Sequence, residues 1–366
     1  VELATRSKMW TSAPNVAHPD YFDAEPNTLL DPVVVGMPGV LPVLNKQAVE
    51  MAMLVGLALG CQIARQTKWD RKSYYYPDLP KNYQISQYDM PLCGAGALEI
   101  PTSDQPGAPT KTVGIIRAHL EEDAGKLLHE APGGIPIDHS IVDLNRAGTP
   151  LLEIVTGPDL ETPDECVMLG QSLRNICRHL GVSAGIMQKG HVRFEPNINV
   201  TIEYNGQTFK TPIVEIKNLN SFKALHGAVA YEYRRQVDQW RQTGRVMAER
   251  AKTTRGWDDV KGVTTLQRQK EDADEYRYFP DPDLVTLEVN DAWRERVRSH
   301  LPELPLAKQG RYVRDLGLSS EDSRILADEP RVARFYERVL KTGANGRRAA
   351  AMLRNYGAKR ANERNC

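Results

Sequence analysis

The chain has 366 residues, more than one average core at roughly 150 residues per domain, so two or three domains are expected. Lys plus Arg number 47 and Asp plus Glu 47, a balance that gives no bulk-charge reason to expect nucleic acid or a membrane as partner and leaves only local charged surfaces for that purpose. Five scattered cysteines (Cys61, Cys93, Cys166, Cys177, Cys366) without a Cys-x-x-Cys pair argue for reduced thiols and against a cysteine-built zinc site. The lack of an apolar run of about eighteen residues or of a signal segment argues for a cytoplasmic protein with no membrane span.

From Pro32 to Gly60 an apolar, Pro- and Gly-punctuated segment leads into a helix, with Asn45 as N-cap, Ala48, Ala52, Val55 and Leu59 as the buried stripe and Gly60 as the stop. Asp70 to Tyr88 holds too many prolines for a helix and too many tyrosines for a casual linker; it either lines a binding site or packs as a loop on a sheet. Ser103 to Thr110 and Ala131 to Pro136 read as exposed loops. Between them an alternating run predicts a strand, with Val113, Ile115, Arg117, His119 and Glu121 on one face and Ile116, Ala118, Leu120 and Glu122 on the other. The strand runs into three consecutive carboxylates, Glu121, Glu122 and Asp123. A carboxylate on Leu120's side is costly to bury without a cation or hydrogen bonds, which points to Mg²⁺ at Glu122; the alternative is a solvated, acidic strand end.

Thr162, Pro163 and Glu165 match the N-cap, N1 and N3 positions of a capping box. They open a helix that ends at Gly181 and buries Leu169, Leu173, Ile176, Cys177 and Leu180, which makes Cys177 a core residue rather than a nucleophile. Val200–Tyr204 and Gln207–Thr211 flank Asn205-Gly206, the signal for a hairpin with a type I′ turn. Ser221 caps a second long helix over about 222–242, with Phe222, Leu225, Val229, Tyr233, Val237 and Trp240 on one face. Polar and charged residues dominate 252–283, and beyond Asn290 only short helical patterns remain, which puts a domain boundary near 290.

Six segments stand out together: Pro38 to Asn45, Asp70 to Tyr88, Arg117 to Lys126, Val142 to Val155, Glu215 to Phe222, and Tyr276-Arg277-Tyr278-Phe279-Pro280. In order and spacing, over essentially residues 1 to 330, they resemble the GatB family, the B subunits of the tRNA-dependent amidotransferases. The resemblance implies a glutamine-hydrolysing carbon–nitrogen ligase working as one subunit of a complex. ATP with Mg²⁺ phosphorylates the side-chain carboxylate of Glu-tRNA(Gln) or Asp-tRNA(Asn), and ammonia then displaces the phosphate. The ammonia comes from a partner amidase (glutaminase) subunit, a small third subunit braces the complex, and no glutaminase motif is visible in this chain. The fold implied is α+β: a large, mainly antiparallel sheet with packed helices, a cradle similar to that of glutamine synthetase, over residues 1–290. A partial, all-helical domain follows over 291–366.

Carried over residue by residue, the resemblance makes Glu122 and Glu153 the first catalytic and metal-binding residues, with Glu121 as a third ligand and His119 either in the cluster or in the core. Lys72, Arg117, Arg193, Lys217 and Arg277 are implied for ATP and phosphate, each with a solvated-surface alternative, and Tyr75, Asn197 and Asn218 for orienting substrate or nucleotide. Three departures from the family stand beside this. The family's metal site is completed by a glutamate and a histidine on a strand just before Val1, so the first strand is expected to be missing. Trp10-Thr11-Ser12-Ala13-Pro14 stands where many relatives carry zinc-binding cysteines, so no zinc is expected. The family's C-terminal tRNA-binding tail is not reached, and Lys341 to Cys366 holds seven Lys or Arg against one Glu, a basic end that either meets RNA phosphate or is disordered. A non-catalytic tRNA- or partner-binding remnant, and a free-standing carboxylate–amine ligase, are the competing readings.

Overall fold

The computed structural model describes residues 1–131, 134–247, 252–269 and 276–357. Three helix starts follow their capping chemistry. Asn45 accepts hydrogen bonds from the Gln47 and Ala48 amides at 2.9 and 3.3 Å and opens helix Lys46–Ala58. Thr162 accepts from the Glu165 amide at 3.1 Å and opens Pro163–His179, and Ser221 accepts from the Ala224 amide at 3.0 Å and opens Phe222–Thr243. Each cap satisfies an amide that the helix itself leaves without a partner. The Asn205-Gly206 hairpin is present, joining Thr201–Tyr204 to Gln207–Lys210 with φ of 50° and 75° at the two turn residues, as a type I′ turn needs.

The α+β class holds, but the β-structure of the described residues divides into six small sheets rather than one large one. All pairings are antiparallel except Val214–Lys217 with Thr253–Asp258, which run parallel. The sheet that carries the functional residues has Thr110–Glu122 at its centre, Gly96–Pro101 on one side and Pro150–Thr156 on the other. Residues 1–3 extend it, because the Leu152 amide donates to the Val1 carbonyl and the Leu3 amide to the Pro150 carbonyl, both at 2.8 Å.

The expected alternation along residues 113–122 is broken by a bulge between Ile115 and Arg117. One extra residue reverses the facing of everything before it. Val113 and Ile115 therefore join Ala118 and Leu120 in the core, under helices Lys46–Ala58 and Pro163–His179, instead of sharing the face of Arg117, His119 and Glu121. Val113, Ile115, Ala118 and Leu120 are thereby buried together, Ile116 stays exposed at the bulge, and the polar face is left for chemistry.

Two hairpins lie where the sequence offered no strand signal: Lys126–Ala131 with Ile135–Asp143, and Thr253–Asp258 with Val263–Gln269. The first is half- to fully exposed on both faces, so no apolar alternation marks it. The second is fixed by a buried polar anchor: Glu232 of helix Phe222–Thr243 accepts from Arg235 Nε and Nη2, each at 2.8 Å, lies 3.3 Å from Arg255 Nε, and takes the Thr264 hydroxyl. Ion pairs hold these strands to the helix together with Trp257, which packs on the helix core and meets Tyr231 edge-on.

The change from strands to helices falls at Asn290, whose side chain caps helix Asp291–Arg298. That helix packs on the first core through Trp293 and Val297, and Trp293 Nε1 donates to Glu50 at 2.8 Å. A separate helical core begins later, with Tyr312 and Tyr336 in edge contact at 5.1 Å and Leu318, Leu326 and Ala350 around them. No described helix is long and apolar enough to cross a membrane.

Candidate metal and nucleotide site

Antiparallel register puts Glu153 directly across from His119, Leu151 across from Glu121, and Glu2 across from Leu151. Directly paired residues share a face. His119, Glu121 and Glu153 therefore converge on one side of the sheet, each offering one ligand atom within 4.8 Å of the others. His119 and Glu121 are buried, 4% and 6% exposed, while Glu153 is open to solvent.

The described residues do not fully compensate these groups. Glu121 takes one long hydrogen bond, from the Ser86 hydroxyl at 3.4 Å, and His119 Nδ1 is buried with no hydrogen-bond partner among the described residues. Burial pushes the Glu121 carboxyl up to about 7, with Glu153 and Asp123 adding to the rise and Lys72 opposing it. Burial also pulls His119 down to about 4, with Arg117 and Lys72 acting in the same direction against Glu153. A neutral imidazole has a free lone pair, and two carboxylates that repel each other gain most from a shared cation. Oxygen-rich donors with one imidazole suit a divalent ion of the Mg²⁺ or Mn²⁺ kind.

Beside this cluster lies a second, in which Asp123 is compensated by arginines while Glu2 Oε1 is buried without a hydrogen-bond partner among the described residues. Asp123 forms an ion pair with Arg193 and lies 3.7 Å from Arg146, whose guanidinium also donates to the Ala124 and Gly125 carbonyls. Burial acts to raise the Asp123 carboxyl, but Arg193 and Arg146 outweigh it and hold it below the usual range. Glu2 shares the pocket, 2% exposed, and burial together with the Asp123 charge pushes it up to about 8 from 4.5. A raised carboxyl takes up its proton on folding, so its contribution is full below pH 4.5 and is lost as pH rises through about 8. Glu2→Gln is expected to flatten that decline. Urea midpoints measured from pH 5 to 9 should converge at the acid end and favour the variant at the alkaline end, and parallel curves would refute the assignment.

Of the residues expected at the site, Glu121, Glu153, Arg117 and Lys72 lie together with His119. Lys72, on strand Asp70–Ser73, sits over the Tyr276 ring at 4.9 Å and acts electrostatically on both His119 and Glu121. Arg193 belongs to the neighbouring Asp123 pocket. Glu122 is not brought into the cluster. Adjacent strand residues face opposite ways, and Glu122 turns to the other side, where it pairs with Lys81 and accepts the Ile85 amide at 3.0 Å. Asn197, Lys217 and Asn218 lie on or beside the four-stranded sheet, Lys217 in an ion pair with Glu195 at 3.2 Å and Asn218 at φ 66°. Tyr75 is 68% exposed, and Arg277 has φ 48° next to strand Phe279–Pro280.

Sequence reasoning missed Glu2, Asp123, Arg146, Lys81 and Ser86. Asp123 was visible as the third carboxylate of its run, whereas the pairing of Glu2 with Leu151 spans 149 positions and left no local signal.

Residues 1–295 match the model of the GatB/GatE catalytic domain. The aspartyl/glutamyl-tRNA(Asn/Gln) amidotransferase B subunit of Synechococcus elongatus is 46% identical over 355 residues, 96% of this chain and 70% of that protein. The proteins of the same name from Synechococcus sp. strain CC9902 and Rhodopirellula baltica are 48% and 43% identical, each over 96% of this chain and 69% of their own length. On a domain match across most of its length and identity of this order over nearly all of it, the chain belongs to the GatB family of amidotransferase B subunits.

Proposed function

We propose that this chain is the kinase and transamidase component of a tRNA-dependent amidotransferase. An oxygen of the Glu or Asp side-chain carboxylate on a misacylated tRNA attacks the γ-phosphorus of ATP and ADP leaves; ammonia then attacks the acyl carbon and phosphate leaves. The observation that carries the reading is the His119–Glu121–Glu153 cluster, since phosphoryl transfer asks a protein mainly for positioning and charge neutralisation. Those three residues would hold the Mg²⁺, which when bound neutralises phosphate charge. Lys72 and Arg117 border the cluster as phosphate contacts, and Arg193 keeps Asp123 ionised beside it. Glu122, expected as a ligand, supports the site from the opposite face. Lys217, Asn218, Asn197 and Arg277 are the nucleotide contacts proposed from the flanking elements, and the small sheets together would form the cradle. Ammonia requires a glutaminase partner, supplied by other subunits of the complex.

The test is amidation of Glu-tRNA(Gln) and Asp-tRNA(Asn) with ATP, Mg²⁺, glutamine and the partner subunits, comparing this chain with forms extended at both termini. ATP-dependent amide formation that requires this chain supports the reading. tRNA binding without turnover in any form would favour the non-catalytic alternative.

A further inference from the structure

Strand Tyr83–Ser86 and the residue after it bury three polar side chains within four positions: Gln84, Ser86 and Gln87 are 6%, 2% and 1% exposed. A buried amide is costly unless its oxygen and nitrogen both find partners, so the partners show what it is for. Ser86 meets the Glu121 carboxylate, whereas both glutamines bond to the backbone of strand Thr110–Glu122.

The reason lies in how that strand is supported. One edge is paired with Pro150–Thr156 along residues 115–122, the end that carries the cluster. On the other edge Gly96–Pro101 pairs only as far as Ile115, and Cys93 then exchanges two hydrogen bonds with Ala118 at 2.9 and 3.0 Å. Beyond Ala118 no backbone partner stands on that edge among the described residues. Side chains take over. Gln87 Oε1 accepts the Leu120 amide at 2.9 Å, and Gln84 Nε2 donates to the Glu122 carbonyl at 2.6 Å. The first bond holds the peptide that joins His119 to Leu120, and the second holds the peptide after Glu122. Glu121 is thus gripped from both sides.

Gln87 is itself fixed in one orientation. Its Oε1 also accepts the Leu92 amide at 3.2 Å, and its Nε2 donates to the Thr67 hydroxyl, which passes its own proton to the Met90 carbonyl at 2.5 Å. Turning the amide over would set its NH₂ group against two N–H donors. Thr67 and Leu92 are both 0% exposed, which leaves no room for water to replace a lost bond. A ligand set of three side chains tolerates displacements of only about 0.5 Å, and the groups behind the ligands set that tolerance.

Resting on the function proposed above, we propose that Gln87 and Gln84 are positioning residues of the cation cluster: their amides complete the open edge of strand Thr110–Glu122 and set the spacing of His119 and Glu121.

The test uses the assembled complex with Gln87→Leu, Gln84→Leu and Thr67→Val, the last leaving Gln87 in place but removing the hydroxyl that orients it. Mn²⁺ binding is followed by electron paramagnetic resonance and exchange of the Leu120 amide by hydrogen–deuterium exchange. Gln87→Leu is expected to bind Mn²⁺ tenfold or more weakly with an altered spectrum, to exchange Leu120 faster, and to lower kcat at least tenfold with KM for the aminoacyl-tRNA within twofold. Gln84→Leu and Thr67→Val should follow in the same direction with smaller losses, and they carry the test if Gln87→Leu does not fold. Ile100→Ala, a core truncation on strand Gly96–Pro101 away from the cluster, is the stability control: it should lower the urea midpoint yet keep Mn²⁺ affinity within twofold. Equal losses of Mn²⁺ in Ile100→Ala and the glutamine variants would reduce the glutamines to general stability and overturn the proposal. A wild-type complex that binds no Mn²⁺ removes the cluster and this role with it; one that binds Mn²⁺ while the variants keep its affinity and spectrum overturns the positioning role alone.

Discussion

Glu153→Gln and Glu121→Gln are each expected to reduce ATP-dependent amidation by about a thousandfold or more and to weaken Mn²⁺ binding, followed by electron paramagnetic resonance, by at least about 100-fold. Their placement gives the reason. Glu153 lies opposite His119 in the sheet register and Glu121 is two residues along the same face, so either substitution removes one of two anionic donors from a three-residue set. An amide keeps the shape and one oxygen but loses the charge that draws the cation and offsets phosphate. His119→Ala, which removes a neutral donor, should cost less than either glutamate. Glu122→Gln is the internal control: it faces Lys81, so Mn²⁺ binding should remain within about twofold of the unsubstituted protein. Loss of Mn²⁺ in Glu122→Gln on the scale of Glu153→Gln would return Glu122 to the cation and overturn the geometry.

That contrast shows where the sequence was legible. The carboxylate run was visible as a functional hotspot, and alternation correctly set Glu121 with Arg117 and His119, and Glu122 with Leu120. What alternation does not contain is which face is open, because that depends on what packs against the strand. By alternation alone Val113 and Ile115 belong to the functional face; the bulge at Ile116 moves them to the core, and the adjacent Ile115-Ile116 pair that accompanies it does not by itself say on which side the phase changes. Helices were read nearly to the residue because their caps are local hydrogen bonds: Asn45, Thr162 and Ser221 satisfy amides two or three positions away. The partners of Glu122 and Asp123, at Lys81 and Arg193, lie 41 and 70 positions off, and only the folded chain brings them together.

Lys81→Met should be the most destabilising single change at this site without touching the cation cluster. The Lys81 and Glu122 side chains are 10% and 3% exposed, so removing the Lys81 ammonium leaves a buried carboxylate that keeps the Ile85 amide and the more distant charge of buried Lys8 but loses its direct ion pair. Breaking a buried pair from one side costs roughly 3–5 kcal/mol, whereas removing both charges costs far less because no orphan remains. The double variant Lys81→Met/Glu122→Gln is therefore expected to unfold at a higher urea concentration than Lys81→Met alone, and equal or lower stability of the double would refute a buried, mutually dependent pair. The consequence for activity runs through strand Tyr83–Ser86. Glu122 fixes this strand through the Ile85 amide, and its carbonyl accepts from Gln84 at 2.6 Å. The same strand pairs with the one that carries Lys72, and it places the Ser86 hydroxyl on Glu121. Loosening the pair should thus move Lys72 and Ser86 relative to the cluster together, lowering kcat while leaving the ligand set of the cation whole.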